Sequence, residues 1–175
     1  PAAGGHPRAA GGKGWGQTVS AVVEELYSLL VPLADERLIV PRACVAEVVR
    51  YTPPEAKAAA ASWVLGGFNW NGRLLPLVSF EGALGGTVPE ASGRTRIVVF
   101  HGVTGKLRAG HFGILTQGFP QLVRVNREVL RPGEPDEDWP EEAPVFCRVK
   151  MINEYPLIPD LARLEEILAE QELEL

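Results

Sequence analysis

The chain has 175 residues, 46% of them hydrophobic and 22% charged, with a formal net charge of −5. This is ordinary globular composition, long enough for one domain or two small subdomains. The acidic balance argues against a nucleic-acid partner, and no apolar run approaches the ~20 residues that cross a bilayer, so direct membrane insertion is not expected.

Counts of 19 Gly and 15 Pro favour many short strands and tight turns over a helix bundle. Residues 1–20 read as a disordered tail: the stretch from Pro1 to Gly16 is rich in Gly, Ala and Pro and has no apolar period. His6 lies in that tail and is expected to be exposed and inert. Gly11-Gly12-Lys13-Gly14-Trp15-Gly16 lacks the Gly-Lys-Ser/Thr ending of a phosphate loop, so no nucleotide is assigned to it. No secretory signal pattern opens the chain. Cys44 and Cys147 lie far apart with no Cys-x-x-Cys spacing, as expected of two reduced core thiols in a cytoplasmic protein.

Leu26–Pro32 reads as a strand, Ala34–Arg37 as a polar turn and Leu38–Val40 as the strand that pairs back. Pro41 to Glu47 is expected to start a short helix, with Pro41 tolerated in its first turn. Val48–Tyr51 is a third strand, ended by Pro53-Pro54, and Lys57 to Ala61 is an Ala-rich loop or one helical turn. Val64–Trp70 and Arg73–Val78 then flank Asn71-Gly72. That dipeptide suits a type I′ turn, whose two central residues both need φ > 0. Gly66 and Gly67 predict a bulge or sharp bend. Pro76 cannot donate to a ladder and should sit at an edge or bulge. A helical turn from Ser79 to Leu84 should end at Gly85-Gly86.

Thr87 to Gly93 is turn-rich and marks an expected subdomain boundary. Arg94–Phe100 is a strand, Val103–Lys106 a turn, Leu107–Leu115 the returning strand and Gln121–Val125 another strand. Pro132 to Pro144 holds six acidic residues and four prolines and reads as an exposed loop. Val145–Met151 and Tyr155–Ile158 form a last hairpin, turning at Asn153-Glu154. Asp160 caps a helix over Leu161–Glu172, with Leu161, Leu164, Ile167 and Leu168 on its buried face.

Each half of the chain thus ends in strand, turn, strand, helix, as two related small barrels would. The expected fold is mostly β: two small barrels within one domain over residues 21–175. The first barrel is placed at about 26–86, the second at about 94–160 and the C-terminal helix at about 161–172. Leu29, Val31, Ile39, Val64, Leu74, Leu77, Ile97, Val99, Ile114, Val123, Val125, Val149, Leu157 and Ile158 should be mostly buried.

Several segments together resemble a known family. They are Leu29–Val31, Leu38–Pro41, Val45-Ala46-Glu47-Val48, the hairpin Trp63–Val78, Phe112–Phe119, Asn126–Pro132 and the final hairpin-helix. In this order they resemble the CheW-like domain of bacterial chemotaxis proteins, over about Leu26 to Leu168. The resemblance implies that the two barrels are five-stranded and SH3-like, and that the chain is a non-catalytic adaptor. Its implied partners are methyl-accepting chemoreceptors and the regulatory domain of a chemotaxis-type histidine kinase. It places the kinase contact at Val45, Glu47 and Val49, and the receptor groove near Asn71, Val99 and Phe119. The family's hairpin Arg is Asn71 here and its second-half Asp is Gln117. The Asn69-Trp70-Asn71-Gly72-Arg73 version of the hairpin is similar to adaptors of type IV pilus (twitching) chemosensory systems.

No residue pattern calls for a cofactor or a metal. His101 and His111 lack metal-ligand spacing and read as structural. Ser62 and Ser79 lack a Gly-x-Ser-x-Gly nucleophile elbow. Glu134, Asp136, Glu137 and Asp138 read as a solvated loop, since nothing evident desolvates them. Val45, Val48 and Val49, flanked by Glu47 and Arg50, could form an apolar contact with a charged rim. Strand alternation then leaves only one of Val48 and Val49 available. The competing reading is a small β-barrel enzyme or ligand-binding module.

Overall fold

A computed structural model describes residues 25–56, 61–133 and 139–171. The expected N-terminal tail, and all but Ala61 of the Ala-rich loop, lie outside them. In chain order the elements are β1 (Leu26–Pro32), β2 (Arg37–Pro41), a 3-10 turn (Arg42–Cys44), β3 (Val45–Arg50), β4 (Val64–Trp70), β5 (Arg73–Val78) and α1 (Phe80–Ala83). The second half follows with β6 (Arg96–His101), β7 (His111–Thr116), β8 (Gln121–Val125), β9 (Arg131–Pro132), β10 (Val145–Lys150), β11 (Leu157–Pro159) and α2 (Leu161–Gln171). The protein is mostly β, with two sheets and a C-terminal helix, as expected.

One sheet is ordered β8-β1-β2-β11-β10-β9 and the other β3-β6-β7-β5-β4. The second, central sheet is continuous in sequence from Val45 to Thr116, and the first, flanking sheet is built from strands on either side of it. The linker at Thr87–Gly93 therefore joins two strands of the same sheet, and the expected barrels at 26–86 and 94–160 are corrected to this nested arrangement. Apart from the two-residue β9, which makes the flanking sheet six-stranded, the two pairing patterns are identical. Each has an antiparallel hairpin (β1-β2 or β6-β7) joined in parallel to the second strand of another hairpin (β11 or β5). Each carries one more antiparallel strand on the first hairpin's outer side (β8 or β3). The halves of the chain are thus repeats that exchange their first hairpins.

The exchange explains the core. A strand of an exchanged hairpin is covered on both faces, so it reads as an unbroken apolar run. In β6, Ile97 and Val99 point into the central barrel with Phe68, Leu75, Leu77 and Leu115. Val98 and Phe100 point the other way, into a shared core with Val31, Leu38, Phe112, Leu164 and Leu168. In β1 and β2, Leu30 and Ile39 fill the flanking barrel with Val125 and Val149. Helix α2 packs on the shared core and so spans both sheets. Among the described residues, no helix is long and apolar enough to cross a membrane.

The hairpin β4–β5 has the expected boundaries. Asn71 (φ 49°) and Gly72 (φ 77°) are both left-handed, as a type I′ turn requires. The register shifts at Gly66, whose φ is 128°. A Cβ there would sit 2.0 Å from the Glu55 carbonyl oxygen, so the glycine admits the crossing chain. Pro76 lies just before the parallel ladder to β7, which begins at Leu77. Asp160 Oδ1 accepts from Arg163 N at 3.0 Å, the expected cap of α2; Ser79, expected only as the start of the helical turn, caps α1, its Oγ accepting from Gly82 N at 3.1 Å.

Four expectations change. The helix at Pro41–Glu47 is only the 3-10 turn, because Val45 to Glu47 already pair with β6. The returning strand starts at His111 instead of Leu107. Leu74 is 40% exposed, since it lies near the hairpin tip, beyond the reach of the β7 ladder. The acidic segment is anchored on both sides: Arg131–Pro132 pair with β10, and Trp139 packs on the shared core. Residues 134–138, with the acidic cluster, lie outside the described set.

Candidate functional site

Strand β3 is the edge of the central sheet that faces β8 and β1 of the flanking sheet. A bulge between Val45 and Glu47 interrupts its pairing with β6. Beyond the bulge, Val48 packs on the shared core and Val49 on the central-barrel core, so they do face opposite ways. Both are half-buried, as is Val45, and none of the three is a free surface valine. Glu47 is exposed. Its Oε2 accepts a hydrogen bond from Trp70 Nε1 at 2.8 Å. Because β3 and β4 are the two edges of the central sheet, this bond ties the edges and helps to close the barrel.

Val45, Ala46 and Glu47 line a groove of about 820 Å³ together with Leu26, Tyr27 and Leu122. Leu26, Tyr27 and Leu122 are 51%, 48% and 54% exposed, so the groove is apolar and open. Val45 and Glu47 are two of the residues expected at a partner contact; no sign of the groove's opposite wall stood in the sequence. That wall comes from β1 and β8, and only the hairpin exchange brings those strands beside β3.

The expected receptor residues are not brought together. Asn71 is exposed at the β4–β5 turn. Val99 is fully buried in the central-barrel core (0% exposed) and cannot meet a partner, which corrects its assignment. Phe119 is 66% exposed, with the Arg96 guanidinium stacked on its ring at 4.6 Å. Leu77 of β5 pairs in parallel with Gly113 of β7. Asn71 precedes the first and Phe119 follows the second, so they lie at opposite ends of the sheet.

The two histidines form a bonded pair across β6 and β7. Arg73 Nη2 lies 2.9 Å from His111 Nδ1. A guanidinium only donates, so Nδ1 accepts and the Nε2 proton points to His101 Nδ1, 3.1 Å away. Burial, then the positive charge of Arg73 and the electrostatic influence of the neighbouring His101, holds His111 below the usual imidazole range. This cluster braces the sheet surface beside Trp70, whose ring centroid is 4.9 Å from that of His111. Among the described residues, no group of three or more His, Cys, Asp or Glu could hold a metal ion. Cys44 and Cys147 are free thiols; Cys44 packs against the shared core and is raised in pKa by burial, whereas Cys147 is exposed, which corrects its expected place in the core.

Glu165 of α2 is fully buried, and its carboxylate accepts from Val103 N (2.8 Å), Thr104 N (3.2 Å) and Thr104 Oγ1 (2.9 Å). It fastens the C-terminal helix to the β6–β7 turn of the central sheet. Its sequence signal is its position alone: four residues after Leu161 and next to Leu164, it falls on the helix's apolar face.

The CheW-like domain family matches residues 28–164. The chain belongs to that family. No curated protein matches it significantly. Among solved structures, the scaffolding protein TtCheW from Thermoanaerobacter tengcongensis superposes with a TM-score of 0.69 at 18% identity, over 85% of this chain and 97% of that one. At that identity the likeness speaks for the fold. The match to the CheW-like family begins in β1 and ends in α2, so it takes in most of both exchanged hairpins, the β3 side of the groove with Leu122, and the Asn71 turn; Leu26 and Tyr27 of the groove precede it.

Proposed function

We propose that this CheW-like protein is a non-catalytic cytoplasmic adaptor that couples methyl-accepting chemoreceptors to a chemotaxis-type histidine kinase. The observation that carries the reading is the family match, which covers both sheets from residue 28 to 164. The groove beside β3 is the proposed kinase contact: Val45 at its base, Leu26, Tyr27 and Leu122 on its wall, Glu47 on its rim. An apolar centre with a charged rim is the usual anatomy of a specific contact. Val49, half-buried against the central-barrel core, supports that edge from behind. Asn71 and Phe119 are proposed for receptor contact at the two ends of the central sheet; Val99 is not. The hairpin's likeness to pilus-system adaptors supports type IV pilus motility as the output. Binding to the regulatory domain of the cognate kinase by titration calorimetry tests the adaptor reading. A ternary pull-down with receptor and kinase tests the coupling, and absence of both would overturn it. Loss of twitching with swimming intact in a deletion strain tests the output.

A further inference from the structure

A second cavity lies at the other end of β3, away from the groove. It holds about 360 Å³ and is lined by Arg50, Tyr51, Ser92, Gly93, Thr95 and Arg96. Arg50 and Arg96 are direct cross-strand partners in the β3–β6 ladder. Opposed like charges on one face of a sheet repel, and this lining contains no carboxylate to offset them. Arg50 is exposed and makes no hydrogen bond or ion pair among the described residues.

Arg96 is held in place. Its Nη1 donates to the carbonyls of Gly93 (3.0 Å) and Thr95 (2.8 Å), and its face stacks on Phe119. The side-on edge of the guanidinium, Nε and Nη2, makes no hydrogen bond among the described residues, and Nε is buried. A buried donor without a partner is costly, and it commonly marks the place of a missing acceptor. That edge is the fork that takes two oxygens of one oxyanion. The hydroxyl-bearing Tyr51, Ser92 and Thr95 line the same space.

We infer that this cavity is a binding site for a phosphate-type oxyanion, held side-on by Arg96 and neutralised by Arg50. Two guanidinium charges match a phosphate dianion better than a monovalent carboxylate. The same chemistry is offered by free phosphate and by a phosphomonoester.

The test is arginine side-chain NMR on the full chain at fixed ionic strength. Separate titrations use inorganic phosphate, O-phosphoserine, acetate and chloride. The Arg96 Nε–H resonance should shift and saturate with phosphate, and phosphate should raise the melting temperature by mass action. Arg50→Gln, a change at an exposed side chain, should fold normally and lower phosphate affinity at least about tenfold. Arg96→Lys keeps the charge but loses the fork, and should weaken phosphate binding without being rescued by the ammonium. Saturation with inorganic phosphate alone assigns the site to the free ion; saturation with O-phosphoserine as well assigns it to phosphomonoesters. No saturable shift with either, an equal response to acetate or chloride, or wild-type affinity in Arg50→Gln would overturn the inference.

Discussion

Replacing Leu122 with Asp should separate partner binding from folding stability. Leu122 is 54% exposed on β8 and forms the wall of the groove opposite Val45. In the free protein the new carboxylate meets water, so stability should move by no more than about 0.5 kcal/mol. In the complex the same carboxylate lies at the apolar centre of the contact without a partner. That costs several kcal/mol, and ~1.4 kcal/mol is tenfold in affinity, so kinase binding should fall at least about a hundredfold. Val45→Asp provides the contrast. Val45 is half-buried and packs on the shared core, so a carboxylate there should also destabilise the free protein, by about 1–3 kcal/mol. Titration calorimetry with the kinase regulatory domain reads binding, and urea melts read stability. Wild-type affinity in Leu122→Asp, with an unchanged melt, would refute the assignment of this groove to the kinase. A wild-type melt in Val45→Asp would refute the packing argument.

Glu165→Ala should lower stability by about 3 kcal/mol, because Val103 N, Thr104 N and the Thr104 hydroxyl lose their acceptor. At 2–4 °C per kcal/mol, calorimetry should show a melting point about 6–12 °C lower; a shift below about 2 °C would mean that the helix is fastened otherwise. Trp139→Ala should cost about 2 kcal/mol, since the ring is only half-buried on the shared core, and urea titration would expose an idle ring by an unchanged midpoint. Gly66→Ala should be far worse than Gly72→Ala: both have positive φ, but only at Gly66 would the Cβ strike a backbone oxygen. Equal thermal shifts in the two variants would contradict the close approach. For His111 the folded pKa lies below the ordinary 6.5, so the unfolded chain binds more protons just below that pH. The stability from the neutral ring is complete above 6.5 and is lost as pH falls through it towards the folded pKa. Urea melts across that window should decline in the wild type and decline less in His111→Gln, and parallel curves would exclude His111 as the cause.

Local structure was legible in the sequence wherever a residue's backbone preference decides the matter by itself. Asn71-Gly72 accepts φ > 0, so the hairpin and both its strands were placed to the residue. Asp160 supplies a side-chain acceptor to a free helix N–H group, so the start of the C-terminal helix was readable. The echo of strand, turn, strand and helix in the two halves also stood in the sequence, as did the family resemblance that the match over residues 28–164 bears out.

The tertiary structure decided which strands lie together. A run such as Ile97-Val98-Val99-Phe100 is apolar at every position, so no alternation says which face meets which core or which sheet the strand joins. The hairpins exchange because each then buries both faces, a gain that exists only once the other half of the chain is present. From that exchange follow the inward place of Val99, the wall of Leu26, Tyr27 and Leu122 opposite Val45, and the nested order of the sheets. The opposition of Arg50 and Arg96 is set by the β3–β6 register, which pairs residues far apart in the sequence. Glu165 is the sharpest case. Helical spacing puts it on the same face as Leu161, Leu164 and Leu168, but only a turn some sixty residues earlier in the chain, presenting its N–H groups at 2.8 to 3.3 Å, makes burial of that charge affordable.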